Sequence, residues 1–103
     1  MLKLNYYVPV AAKEITKQAL FDIGVGKYSN YECCSWETLG KGQFKPVANA
    51  HPAIGEIGKM EIVDEYKVEM LCEEELIAKA IKRLKEVHPY EEVAYEVLQL
   101  LEF

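Results

Sequence analysis

His88, Tyr90, Glu91 and Glu92 crowd around Pro89 in one short stretch, His88-Pro89-Tyr90-Glu91-Glu92. An imidazole beside carboxylates can bind a transition metal, or move a proton near neutral pH. The same residues can simply end a helix. Histidine is favourable in a last helical turn, proline stops the helix, and a tyrosine can pack beneath a sheet. Zinc sites take three or four ligands, and this run supplies two, His88 and Glu91. A divalent metal is therefore the only cofactor these residues suggest, and they suggest it incompletely.

Cys33 and Cys34 are adjacent. On a strand such neighbours point to opposite faces and cannot jointly chelate one metal. One is expected in the core and the other toward a ligand or neighbour. A nucleophilic thiol would need a base beside it, and only His51 or His88 could supply one through the fold. Gly40-Lys41-Gly42-Gln43-Phe44-Lys45-Pro46 is glycine-rich and basic, so its backbone N–H groups could cradle an anion. It lacks P-loop spacing and no helix follows it. No Ser-His-Asp order, HExxH, EF-hand loop or paired CxxC is present. No catalytic set is complete, and no catalytic residue is assigned.

The elements that must position these groups are legible from periodicity. Leu2, Leu4, Tyr6 and Val8 alternate with Lys3, Asn5 and Tyr7, a half-buried strand that Pro9 ends. Ala12, Ile15, Ala19, Leu20 and Ile23 fall on one helical face, and Gly24 and Gly26 stop that helix. Residues 28–38, rich in aromatics, Cys and Ser, predict a long second strand. Residues 39–59 hold six of the chain's Gly and Pro residues, at 40, 42, 46, 52, 55 and 58, and predict an extra loop or short hairpin. Alternation resumes over residues 60–71. Leu76, Ile77, Ala80, Ile81, Leu84 and Val87 form a clean helical stripe, preceded by Glu73, Glu74 and Glu75 where the helix dipole favours acid. Residues 92–101 predict a last strand with apolar side chains on both faces.

The order βαββαβ predicts an α+β, ferredoxin-like sandwich with both helices on one sheet face. At 103 residues, half of them apolar, the chain is expected to form one domain over residues 1–103. The two-sided apolar last strand needs cover, and a second copy is the expected cover. A net charge of −5 argues against nucleic acid. Lys79, Lys82, Arg83 and Lys85 are close together, but i,i+4 pairing such as Glu75 with Lys79 accounts for most of that pattern. No segment has the roughly 20 apolar residues that span a bilayer, so no membrane partner is expected. The first residues lack a signal-like apolar stretch, and three cysteines do not read as a disulfide framework. A reducing cytoplasm is the expected location.

Longer motifs add a resemblance. Gly24-Val25-Gly26-Lys27-Tyr28-Ser29, Cys34-Ser35-Trp36, the Gly40 to Pro46 run, Pro52-Ala53-Ile54-Gly55 and Gly58-Lys59-Met60-Glu61 follow in order. Tyr66-Lys67-Val68-Glu69 and His88-Pro89-Tyr90-Glu91-Glu92-Val93-Ala94-Tyr95 complete the set. Together they resemble the domain inserted in YqfO-type proteins, members of the family named after the yeast factor that interacts with the co-regulator NGG-one. The resemblance covers nearly the whole chain. It implies a fold akin to CutA and the nitrogen regulator PII, with homo-trimers or dimers that bury sheet surfaces between copies. CutA carries a His-Pro-Tyr-Glu run at a similar place and is linked with divalent metals. PII takes small ligands at its loops and subunit clefts. The resemblance also implies a limit. The di-metal centre of full-length YqfO-type proteins is built from the halves flanking the insert, and His51 and His88 do not supply it.

The expected function is thus a non-catalytic, self-associating binding or sensor module for a small ligand or divalent metal. A protein–protein assembly module, with Tyr7, Trp36 and Phe44 as exposed anchors, is the alternative. An enzyme of the hydrolase-like parent family, centred on Cys34 or His88, is the third. The expected site joins His88, Tyr90 and Glu91, approached by Cys34, Gly40, Gly42 and Phe44.

Overall fold

The register of the first strand organises the molecule. In the computed structural model, which describes residues 1–103, strand β1 (Leu2–Pro9) pairs antiparallel with two neighbours. The others are helix α1 (Lys13–Asp22), strands β2 (Trp36–Phe44) and β3 (Glu61–Cys72), helix α2 (Ile77–Val87) and strand β4 (Tyr95–Gln99). The sheet order is β2-β3-β1-β4, so each helix carries the chain over one intervening strand. This is the ferredoxin-like arrangement that the element order predicted. No helix is long and apolar enough to cross a membrane.

Alternation in β1 sends Leu4, Tyr6 and Val8 toward the helices, where all three are fully buried. Opposite them in β3 stand Met70, Val68 and Tyr66. Leu20 and Val25 from the α1 region and Ala80 and Leu84 from α2 close the core. The stripe read in α2 is the buried one. The face of α1 is rotated from expectation: Thr16, Ala19 and Leu20 are inside, while Ile15 is 63% exposed. Thr16 replaces Ile15 because its hydroxyl meets the Tyr6 hydroxyl at 2.9 Å and a backbone carbonyl of Ala12 or Lys13. Buried hydroxyls need such partners. Burial pushes the Tyr6 phenol up to about 12, against the lowering effect of the Thr16 bond.

Helix α1 ends in a Schellman motif. The Gly24 N–H reaches Phe21 O at 3.0 Å, the Val25 N–H reaches Leu20 O at 3.1 Å, and Gly24 takes φ +101°, which glycine adopts without a Cβ clash.

The second strand lies later than its composition suggested. Residues 28–35 form a hook instead, in which Tyr28 and Tyr31 exchange N–H···O bonds of 2.9 Å. The strand then runs from Trp36 through Phe44, taking in Gly40 and Gly42 from the expected loop. The aromatics that suggested a strand are at the surface, Tyr31 at 73% exposure. Neither Cys33 nor Cys34 enters the core, where Cys72 is the buried thiol. The long connection that remains is residues 45–60. The last strand is shorter than read, and every residue of it is exposed.

Tyr6→Phe should fold and lose about 1 kcal/mol, since one buried hydrogen bond goes while Thr16 keeps its carbonyl partner. Thermal unfolding by circular dichroism reads the loss as a midpoint several degrees lower.

Candidate functional site

Helix α2 stops because Pro89 follows it. The residue before a proline is driven out of the helical region, and His88 accordingly sits at φ −77°, ψ 139°. That turn aims the imidazole inward, and His88 is only 6% exposed. Its Nε2 lies 2.7 Å from the Tyr7 carbonyl. A carbonyl can only accept, so Nε2 carries the hydrogen. Its Nδ1 accepts the Tyr90 backbone N–H at 3.1 Å. The neutral Nε2–H tautomer follows from this network. Burial holds the His88 pKa below its ordinary value of 6.5, against the opposing Tyr7 bond.

The ring therefore positions its surroundings. Tyr90 is held beside it, ring centroids 5.0 Å apart, and meets Phe44 from the end of β2 at 6.1 Å. Glu91 reaches the other way, accepting the His51 N–H at 2.8 Å and tying the 45–60 connection to the segment after α2. The Gly58 N–H closes that connection onto Pro46 O at 2.7 Å.

A cavity of about 390 Å³ lies on the sheet face away from the helices. Tyr7, Phe44 and Glu65 from the strands, Pro46, Val47, Pro52 and Ile54 from the connection, and Tyr90, Glu91 and Glu92 line it. The volume is in the range of small-molecule sites, as is an apolar wall with few polar groups. Two of those polar groups are partly buried and lack a partner. The Tyr90 hydroxyl is buried and forms no hydrogen bond. The Glu65 carboxylate is raised above the ordinary carboxylate value by burial alone. The Tyr90 phenol is raised by burial first, then by the negative charges of Glu65 and Glu61.

Gly42 makes room for this. A Cβ there would run into the Glu65 carboxylate, so the bare backbone lets the acid lie across β2. Gly40 pairs with Glu65 in register and leaves open space above it.

The residues expected at a site therefore divide. Phe44, Tyr90 and Glu91 line the cavity, Gly42 lies under Glu65, Gly40 stands opposite it, and His88 braces the site from behind. Cys34 is elsewhere. It bonds to Gly26, which bonds to Leu71, six residues along β3 from Glu65 and so roughly 20 Å away. The His88–Glu91 metal pair is not formed, because both imidazole nitrogens and a Glu91 oxygen are already engaged. No group of three or more His, Cys, Asp or Glu side chains is placed to hold a metal ion. Sequence reasoning named Tyr7 only as an interface anchor and missed Glu65. The signal for Glu65 was its place opposite Gly40 and diagonal to Gly42, visible only once β2 and β3 are in register.

This architecture is of the CutA/PII-like class. A Pyrococcus horikoshii structure, CutA1, matches with a TM-score of 0.74 over 100% of this chain and 86% of that one, at 17% identity, a likeness of fold. No protein-family model matches the chain. Sequence relatives are nonetheless clear. The chain is 37% identical over 98 residues to a Staphylococcus aureus (strain COL) protein named GTP cyclohydrolase 1 type 2 homolog, a match spanning 95% of this chain and 27% of that protein. A solved Bacillus cereus protein related to NIF3 matches at 37% identity and a TM-score of 0.81, over 96% of this chain and 25% of that one. NIF3-family, YqfO-like relatives thus match most of the chain, as its motifs suggested, and the chain spans about a quarter of their length.

The folded His88 ring takes a proton less readily than the unfolded one. Its contribution to stability is fully present above pH 6.5 and is lost as pH falls through the folded value. Urea titrations at pH 7 and 5.5 should show the wild type weakening. His88→Asn should be about 1–3 kcal/mol less stable at pH 7, with a smaller loss on acidification.

Proposed function

We propose that this chain is a non-catalytic binding or sensor module that takes a small ligand in the cleft between the 45–54 segment and Tyr90. The observation that carries the reading is the buried, unpartnered Tyr90 hydroxyl beside an unpaired Glu65 in an apolar-walled cavity. Buried polar groups in proteins have partners, and a cavity lined by such groups is suited to a ligand that provides them. In this reading Tyr90, Phe44 and Glu65 touch the ligand. Glu91 holds the 45–60 connection in place, and His88 positions Tyr90 rather than coordinating a metal. Gly42 contributes by leaving space. Cys34 and Gly40 have no contact role in it.

The parent proteins' activity does not enter the reading. The matched segment is about a quarter of those relatives. A divalent metal is disfavoured for the reasons of geometry given above. The working unit in this proposal is the 1–103 domain, acting in the cytoplasm, with no nucleic acid or membrane partner.

Self-association is part of the proposal. Strand β4 is an edge whose Val97 and Leu98 lie on opposite faces, both exposed, and β2 is the other edge, with Trp36 68% exposed and Leu39 uncovered. Unprotected apolar edges favour pairing with another copy. The same surfaces support the second reading, an assembly module without a ligand.

Two measurements separate the readings. Thermal-shift screening with nucleotides, amines, small acids and metals should find a stabilising compound, since a ligand of the native state raises the melting point. Phe44→Ala should remove that shift, while light-scattering mass stays at a dimer or trimer. A mass equal to the monomer at all concentrations would remove self-association, and a full set of null shifts would leave the assembly reading.

A further inference from the structure

We infer that the cleft selects a small organic cation, an ammonium or amidinium head carried on an apolar or aromatic body. The inference rests on the binding reading above and names its ligand class.

Charge points one way. Glu65, Glu91 and Glu92 line the cavity and Lys45 is the lone basic residue among its lining side chains. An anion such as a nucleotide phosphate or a small carboxylic acid would bring like charge toward three carboxylates, which costs free energy in a partly desolvated cleft. Of the three, Glu91 is occupied by the His51 N–H, while Glu65 has no partner in the chain. A carboxylate that is ionised can only accept hydrogen bonds, so the group that satisfies Glu65 must donate. The unpartnered Tyr90 oxygen can accept from the same head.

The rest of the wall selects the body. Phe44, Pro46, Val47 and Ile54 present carbon. Tyr7, Phe44 and Tyr90 put three aromatic rings in the lining, and aromatic faces attract a desolvated cation. A hydrated metal ion matches none of this, since it would leave the apolar wall unused and find too few ligands.

Benzamidine, benzyl alcohol and benzoate share one ring and differ in head charge. Amide NMR titrations of the full chain with each probe test the inference. Benzamidine should move the Tyr7, Phe44, Glu65 and Ala94 amides and bind at least about tenfold more tightly than the other two, the increment expected of a charge-assisted hydrogen bond. Glu65→Gln should erase that preference with the remaining spectrum unchanged, and Tyr90→Phe should weaken benzamidine by a smaller factor. If Glu65→Gln does not fold, the ranking of the three probes on the wild type decides alone. Benzyl alcohol or benzoate binding equally well at the same amides would overturn cation selection and leave the cleft as a ligand site. No movement of those amides with any probe at low millimolar concentration would overturn both.

Discussion

Everything around the cleft depends on one imidazole with both nitrogens occupied. The β1–β4 ladder reaches Tyr6 opposite Tyr95, and one further bond joins the Tyr7 N–H to Ala94 O. The Tyr7 carbonyl points the same way and would be left without a strand partner. His88 takes it, and with its other nitrogen takes the Tyr90 N–H. One side chain thereby joins the end of α2, the end of β1 and the start of the segment that walls the cavity. The arrangement requires the neutral ring. A proton on Nδ1 would face an N–H instead of accepting from it, so burial and the hydrogen-bond pattern press in the same direction.

The two faces of the sheet do different work. The helix face is closed by Leu4, Tyr6, Val8, Val68 and Met70, and its energy is that of apolar burial. The other face is mixed, and its polar groups on β1 are paired. Lys3 meets Glu69 at 2.7 Å, and Asn5 and Tyr7 share Glu96 at 3.3 Å each. Farther along, at Glu65, the pairing stops. The acid has Gly40 across from it and Gly42 diagonal to it on β2, where a lysine or asparagine could have satisfied it. An ionisable group set in a partly buried place with space cleared around it costs stability, and such costs concentrate where a protein has to meet something.

The fold was legible because its signals are local. Alternation in β1 and β3 and the stripe in α2 depend only on neighbours in the chain, and the right elements appeared in the right order. The second strand was misplaced because Tyr28, Tyr31, Cys33 and Cys34 have strand-like composition, whereas Gly40 and Gly42 have turn-like composition. Tertiary context reversed both. The hook at 28–35 is held by backbone bonds among Gly26, Cys34 and Leu71 that composition does not encode. Within β2, the glycines answer to a carboxylate more than twenty positions away. The site was half legible for the same reason. Tyr90 and Glu91 stand in a stretch whose chemistry draws the eye. Glu65 looks like one more outward acid on an alternating strand, and its neighbours β2 and the 45–60 connection arrive only through folding.

The His88 run also shows how a residue's type can suggest one role and its environment assign another. Histidine beside carboxylates is ligand chemistry when the ring nitrogens are free. Here proline sets the backbone before it, the backbone turns the ring inward, and two main-chain groups consume its hydrogen-bonding capacity. The ring's role is instead to hold the backbone of Tyr90 in place. The phenol of Tyr90 is held against Phe44 with its oxygen unsatisfied, at the mouth of a segment strapped down by the next residue in the chain, Glu91. Three consecutive decisions at residues 89–91, a forced turn, a displayed phenol and a strap, therefore build the cleft from one short stretch. In the proposed function the recognition chemistry would come from β3, through the Glu65 carboxylate for which Gly42 leaves room.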